Sequence, residues 1–194
     1  MGNESHSFFP ELTDQDGPQP GPSWARGDWR AVRWIDLADV EAPADDLRKR
    51  GAAAGATVFA RGEGIHMGTD ELYFCCTSGG AAKLGQIFRL QPAPAAGRDR
   101  VQLFFESENA AQFNYGDNLT GAPNGHLVVC EDQYTPVVDN RIKGITRDGR
   151  AYDLARLDLQ TELAGACFSP DGRTLFVNAY APTTTFAITG PWTA

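Results

Sequence analysis

Acidic residues recur where short β-like runs meet turns: Glu63 within Arg61-Gly62-Glu63-Gly64, Asp117 followed by Asn118, Glu131 followed by Asp132, and Glu162. Strands that return to a common centre would gather these carboxylates into one oxygen-rich pocket. Crowded negative charge is stable there only when metal ions or protons neutralise it. A metal site is therefore the leading expectation, with Glu63, Asp117, Asn118, Glu131 and Glu162 as its ligands. The glycines flanking Glu63 let the backbone fold tightly and carry the carboxylate inward. Glu131 directly follows an apolar run, and strand alternation then sends Asp132 to the other face. Asp117-Asn118 also reads as an Asx-type turn, and each of the others as a solvated turn residue. Asp148 and Asp171, each before a glycine, read as structural turn residues.

The remaining reactive side chains point to packing. Cys75, Cys76, Cys130 and Cys167 lie in or beside apolar runs, where cysteine acts as a small buried hydrophobe, and their even number leaves disulfides open. Zinc is poorly supported, because no cysteine pair has C-x-x-C spacing and His6, His66 and His126 are widely separated. Arg61 and Arg141 offer charge to a phosphate, although an exposed arginine is more often a solvated cation. Trp24, Trp29, Trp34 and Trp192 show no stacking pattern and read as packing residues.

A chain of 194 residues with 42% hydrophobic content is long enough for one folded domain with a real core. Its net charge of -8 argues against nucleic acid as a partner and suits a holder of cations. No apolar run is long enough for a membrane span. Residues 1–27 form a polar arm rich in proline and glycine, without a basic segment followed by an apolar one. A signal peptide is not expected, so the chain as written reads as cytoplasmic, or as periplasmic or secreted if it is a truncated form of an exported parent.

Residues 28–194 are expected to form an all-β domain with one short helix, Asp45 to Ala54. Strands are expected over Trp29–Asp36, Thr57–Phe59, Glu71–Cys75, Gln86–Leu90, Val101–Glu106 and His126–Cys130. Hairpins follow, one around a two-residue Asp148-Gly149 turn and one around Ser169-Pro170-Asp171-Gly172. Units starting at Glu63, Asp117 and Glu162 are spaced by roughly 45 to 55 residues, the length of a four-stranded propeller blade. A partial β-propeller is therefore expected ahead of an antiparallel sandwich. About three blades leave the ring open, with free strand edges that call for self-association or a complementary half-propeller.

The ordered motifs carry a resemblance. Phe59-Ala60-Arg61-Gly62-Glu63-Gly64, Glu71-Leu72-Tyr73-Phe74-Cys75-Cys76-Thr77-Ser78-Gly79-Gly80, Asp117-Asn118-Leu119 and Leu127-Val128-Val129-Cys130-Glu131-Asp132 resemble the C-terminal part of PhoX-type alkaline phosphatases. So do Glu162 to Gly172 and the closing Thr185 to Trp192. The likeness runs from about residue 29 to the C-terminus. It implies a six-bladed propeller exported by the twin-arginine route that hydrolyses phosphate monoesters at a cluster of iron and calcium ions. By that likeness Glu63, Asp117, Asn118, Glu131 and Glu162 are assigned mainly to calcium, a hard cation that prefers oxygen ligands.

The N-terminal half, which in such enzymes carries the signal and the ligands of the iron pair, is missing from this sequence, and none of the four cysteines matches its iron-binding cysteine. Iron is expected only if that half is supplied. The chain thus resembles the C-terminal half of a metal-dependent phosphatase, inactive alone, with a phosphate ester as substrate when complete. The alternatives are a non-catalytic calcium-binding propeller segment that assembles with a partner chain, and a lactonase-like hydrolase in which a single calcium polarises a carbonyl.

Overall fold

The computed structural model describes residues 11–12, 24–94, 97–132 and 138–192. Most of the polar arm expected over 1–27 lies outside the described residues. Fourteen strands and one helix are assigned, and the architecture is all-β.

Runs rich in β-branched and aromatic residues pair into three antiparallel sheets, each wound from an inner strand outward. The first contains β4 (Gly62–Met67), β5 (Leu72–Cys76), β6 (Gln86–Gln91) and β7 (Arg100–Glu106), with β2 (Trp29–Ala31) added beyond β7. The second runs from β8 (Gly116–Gly121) through β9 (Leu127–Glu131) and β10 (Asn140–Ile145) to β11 (Ala151–Leu157). The third has β12 (Leu163–Phe168), β13 (Thr174–Ala179) and β14 (Thr184–Thr189). This is the blade arrangement expected of a partial propeller. A short parallel pair, β1 (Glu11–Leu12) with β3 (Phe59–Ala60), and helix α1 (Leu47–Ala53) complete the described elements.

Both faces of the middle sheet are buried, so its strands are apolar at nearly every position; all five residues of β9 are buried. Cys75, Ile87, Phe105, Phe113, Leu119, Val129 and Ile145 fill the space between the first and second blades. Val128, Cys130, Ile142, Leu163, Leu175, Val177 and Trp192 fill the next space, toward the third blade. The outward face of the first blade is also covered: Trp24, Val32 and Phe59 pack on Phe74, Phe88, Leu90, Val101 and Leu103. The segment before β4 thus shields a face that the bare strand count would leave open.

Several expectations shift in detail. The strand expected over Trp29–Asp36 is regular only through Ala31, and the helix covers Leu47–Ala53. Strands β4 and β8 occupy the glycine-rich stretches that read as turns. The Asp148-Gly149 turn is a three-residue loop rather than a two-residue one. Thr146 and Arg150 pair across it (2.9 Å), the Gly149 amide returns to the Thr146 carbonyl (2.8 Å), and only Gly149 takes a positive φ. Cys75, Cys76 and Cys130 are buried as expected, whereas Cys167 is exposed. Among the described residues, no helix is long and apolar enough to cross a membrane.

Candidate functional site

The same closure precedes each inner strand. The Arg61 carbonyl accepts the Thr77 amide (2.9 Å), the Tyr115 carbonyl accepts the Asp132 amide (2.8 Å), and the Glu162 carbonyl accepts the Tyr180 amide (3.0 Å). Arg61, Tyr115 and Glu162 are therefore equivalent, as are Thr77, Asp132 and Tyr180. One step into each strand the register pairs are Gly62 with Cys76, Gly116 with Glu131, and Leu163 with Ala179. A one-residue bulge follows in every case: between Gly62 and Ile65, between Gly116 and Leu119, and between Ala164 and Cys167. Bulges break pairing and re-aim side chains, and in the first two blades the bulged residues include Glu63 and Asp117.

Arg61 and Tyr115 both hold left-handed conformations, φ 52° and 54°, which non-glycine residues adopt at a cost and which concentrate at functional sites. The aligned stretches Arg61-Gly62-Glu63-Gly64-Ile65 and Tyr115-Gly116-Asp117-Asn118-Leu119 share a glycine, an acid and an aliphatic residue at matching positions. Read side by side, they announce the repeat of the site. The third blade has Ala164 where the first two have acids, and its carboxylate, Glu162, comes from the position equivalent to Arg61.

These strand starts bring charges together. Asp117 is pushed up from 3.8 to about 6, first by burial and then by the negative charges of Glu63, Asp132 and Glu162, with Arg61 opposing. The Arg61 guanidinium lies between two of these acids, 3.5 Å from Glu63 and 3.4 Å from Asp132. Behind them, burial first, then Cys76, Asp117, Cys130 and Glu63, push the Cys75 thiol up, and burial raises Cys130 to about 12. Both therefore stay protonated and contribute packing. Among the described residues, no three His, Cys, Asp or Glu side chains stand close enough to form a ready-made metal cage.

The expected ligands divide into two groups. Glu63, Asp117 and Glu162 share one electrostatic neighbourhood. Asn118 is committed elsewhere: its Oδ1 accepts the Ala166 amide at 2.8 Å, stapling the second blade to the third. Glu131 is turned away from these acids, and Asp132 takes the place expected of it. The alternation was read in the right sense but aimed at the wrong face. Glu131 is 1% exposed, accepts the Asn114 amide (2.8 Å) and faces Lys143 (3.8 Å) inside the blade. Burial pushes it up to about 7, with Lys143 and the Asn114 amide pulling it back. Arg141, the other candidate phosphate contact, is tied to Asp139 (2.8 Å) and Asp153 on the outer strands.

Docked blades with carboxylates and one arginine at the starts of the inner strands define a β-propeller with a polar central site. The family model for PhoX alkaline phosphatases matches residues 11–183, and the chain belongs to that family. Among solved structures it is similar to Pseudomonas fluorescens PhoX, determined in complex with vanadate, a transition state analogue; identity is 20% and the TM-score 0.58. That match covers 75% of this chain and 35% of the Pseudomonas chain, so this chain spans about a third of that relative. No curated protein matched.

Proposed function

We propose that this chain supplies the calcium-holding part of a phosphomonoesterase centre. In this reading Glu63, Asp117, Asp132 and Glu162 hold a hard divalent cation such as calcium. Their donor set fits it, being carboxylate oxygen without thiolate or imidazole. The observation that carries the reading is Asp117, whose carboxyl is raised to about 6 by burial and by three other acids from separate strands. A bound cation relieves that repulsion. When present, it supplies positive charge to phosphate oxygens. Arg61 adds a planar donor fork suited to the same oxygens, already placed between Glu63 and Asp132.

Iron is left to ligands that the PhoX resemblance places in the missing N-terminal half, since Cys75 and Cys130 are buried thiols. Hydrolysis of a phosphate ester then needs that half, and the chain alone binds the cation without turnover. The remainder of the propeller docks on the outward face of the third blade, where Cys167 and Ala187 flank Phe176 in register and β14 has a free edge among the described residues.

Calorimetry with calcium and inorganic phosphate, run beside a chromogenic phosphate ester assay, tests this. Calcium uptake, phosphate binding that depends on calcium, and no turnover are expected. Failure to take up calcium defeats the reading. The second reading, a non-catalytic calcium-binding segment that assembles with a partner, draws on the 35% coverage of the Pseudomonas chain. It prevails if the assembled complex binds calcium yet turns over no ester even with iron supplied.

A further inference from the structure

Glu131 and Lys143 have no part in the centre just described, although a buried ion pair carries a desolvation cost that apolar side chains avoid. The position equivalent to Glu131 holds Cys76 in the first blade and Ala179 in the third, both buried and apolar. A blade of this repeat therefore forms without such a pair. Only the middle blade carries two of the acids, Asp117 and Asp132, on a single corner.

That corner is what Glu131 touches. Its Oε1 accepts the amide of Asn114 at 2.8 Å, one residue before the left-handed Tyr115. Tyr115 gives its amide to the Leu84 carbonyl (2.8 Å) and accepts the Asp132 amide (2.8 Å). Lys143 backs Glu131 at 3.8 Å and is itself held by Asp153 Oδ1 (2.6 Å) and the Ala111 carbonyl (3.0 Å). The contacts run unbroken from β10 and β11 to the backbone that presents both acids.

We infer that Glu131, backed by Lys143, is a positioning residue: its carboxylate oxygen fixes the corner from Asn114 to Asp117 and so sets where Asp117 and Asp132 stand. The cation those acids serve rests on the proposed function, whereas the corner rests on geometry alone. The required feature is the acceptor oxygen, so Glu131→Gln preserves the corner and Glu131→Met, similar in shape, does not.

Terbium luminescence, with the metal ion alone as probe, and amide hydrogen exchange of the metal-free chain test this together. For Glu131→Gln we expect terbium affinity within about twofold of the parent. For Glu131→Met we expect affinity about tenfold weaker and exchange at Asn114 and Asp132 about tenfold faster, with β12 to β14 unchanged. Equal behaviour of the two variants in both measurements overturns the inference. If the parent takes up no terbium, the cation reading fails, and hydrogen exchange alone decides the corner in the same way. If Glu131→Met does not fold, Glu131→Gln decides: an Asn114 amide as protected as in the parent supports the acceptor role, and tenfold faster exchange overturns it.

Discussion

Asp117 binds its proton more tightly in the folded chain than in the unfolded one, because burial and three neighbouring acids raise it from 3.8 to about 6. Its contribution to stability is therefore fully present below about pH 4 and lost as the pH rises through about 6. Glu131, raised to about 7, acts in the same direction over a slightly higher window. Asp148, Asp153 and Asp171 are shifted down and act below that window, so they do not mask it. The melting temperature of the calcium-free protein should fall between pH 5 and 7.5, and saturating calcium should flatten the fall; thermal scans in chelator and in calcium check this. Asp117→Asn should stabilise the calcium-free protein by about 1 kcal/mol at pH 7.5, a figure already reduced for partial solvent screening. It should also weaken calcium binding at least tenfold. A variant that gains as much from calcium as its parent would remove Asp117 from the ligand set.

At the scale of elements, the two inner-strand starts meet through a glycine. A Cβ on Gly64 would lie 2.3 Å from the Asp117 carbonyl oxygen and 2.8 Å from the Asn118 Cα, both backbone atoms that cannot step aside. Gly64→Ala is expected to cost about 3 kcal/mol in urea unfolding and to lower calcium affinity, because β4 and β8 must separate. Asn118→Ala removes the acceptor for the Ala166 amide, and should cost about 1 to 2 kcal/mol while calcium affinity stays within about threefold. Calorimetry on the folded variant decides the point, since loss of calcium binding would return Asn118 to the ligands. The strands were legible where apolar residues crowd, as in β5, β6, β7 and β9, since burial on both faces leaves a continuous apolar run. β4 and β8 were not, because close approach of neighbouring backbones fills those strands with glycine, the residue that otherwise marks a turn.

At the scale of the whole molecule, the two ends of the blade array differ. The first blade is covered by Trp24, Val32 and Phe59, while the third has three strands and a free β14 edge among the described residues. Phe176 stands there between Cys167 and Ala187 on neighbouring strands, and those two flanking residues are exposed. Sedimentation velocity should show association that increases with concentration and is reduced by Ala187→Lys, which places a charge in the contact. A monomer at all concentrations, unaffected by the substitution, would count against docking through this face.

Composition and order of motifs were enough to read an all-β chain of repeated blades, the family likeness, and the acids at strand starts. Each of these is written locally, in apolar runs, Gly-acid steps and turn residues. Which acids meet was decided only by the tertiary structure. A one-residue bulge reverses the face a side chain takes, so Asp132 joins Glu63, Asp117 and Glu162 while Glu131 turns inward to Lys143. The cover over the first blade was likewise invisible in sequence, because it depends on a segment returning across a sheet formed far along the chain. Contacts of that kind follow from packing between distant residues, and no local pattern encodes them.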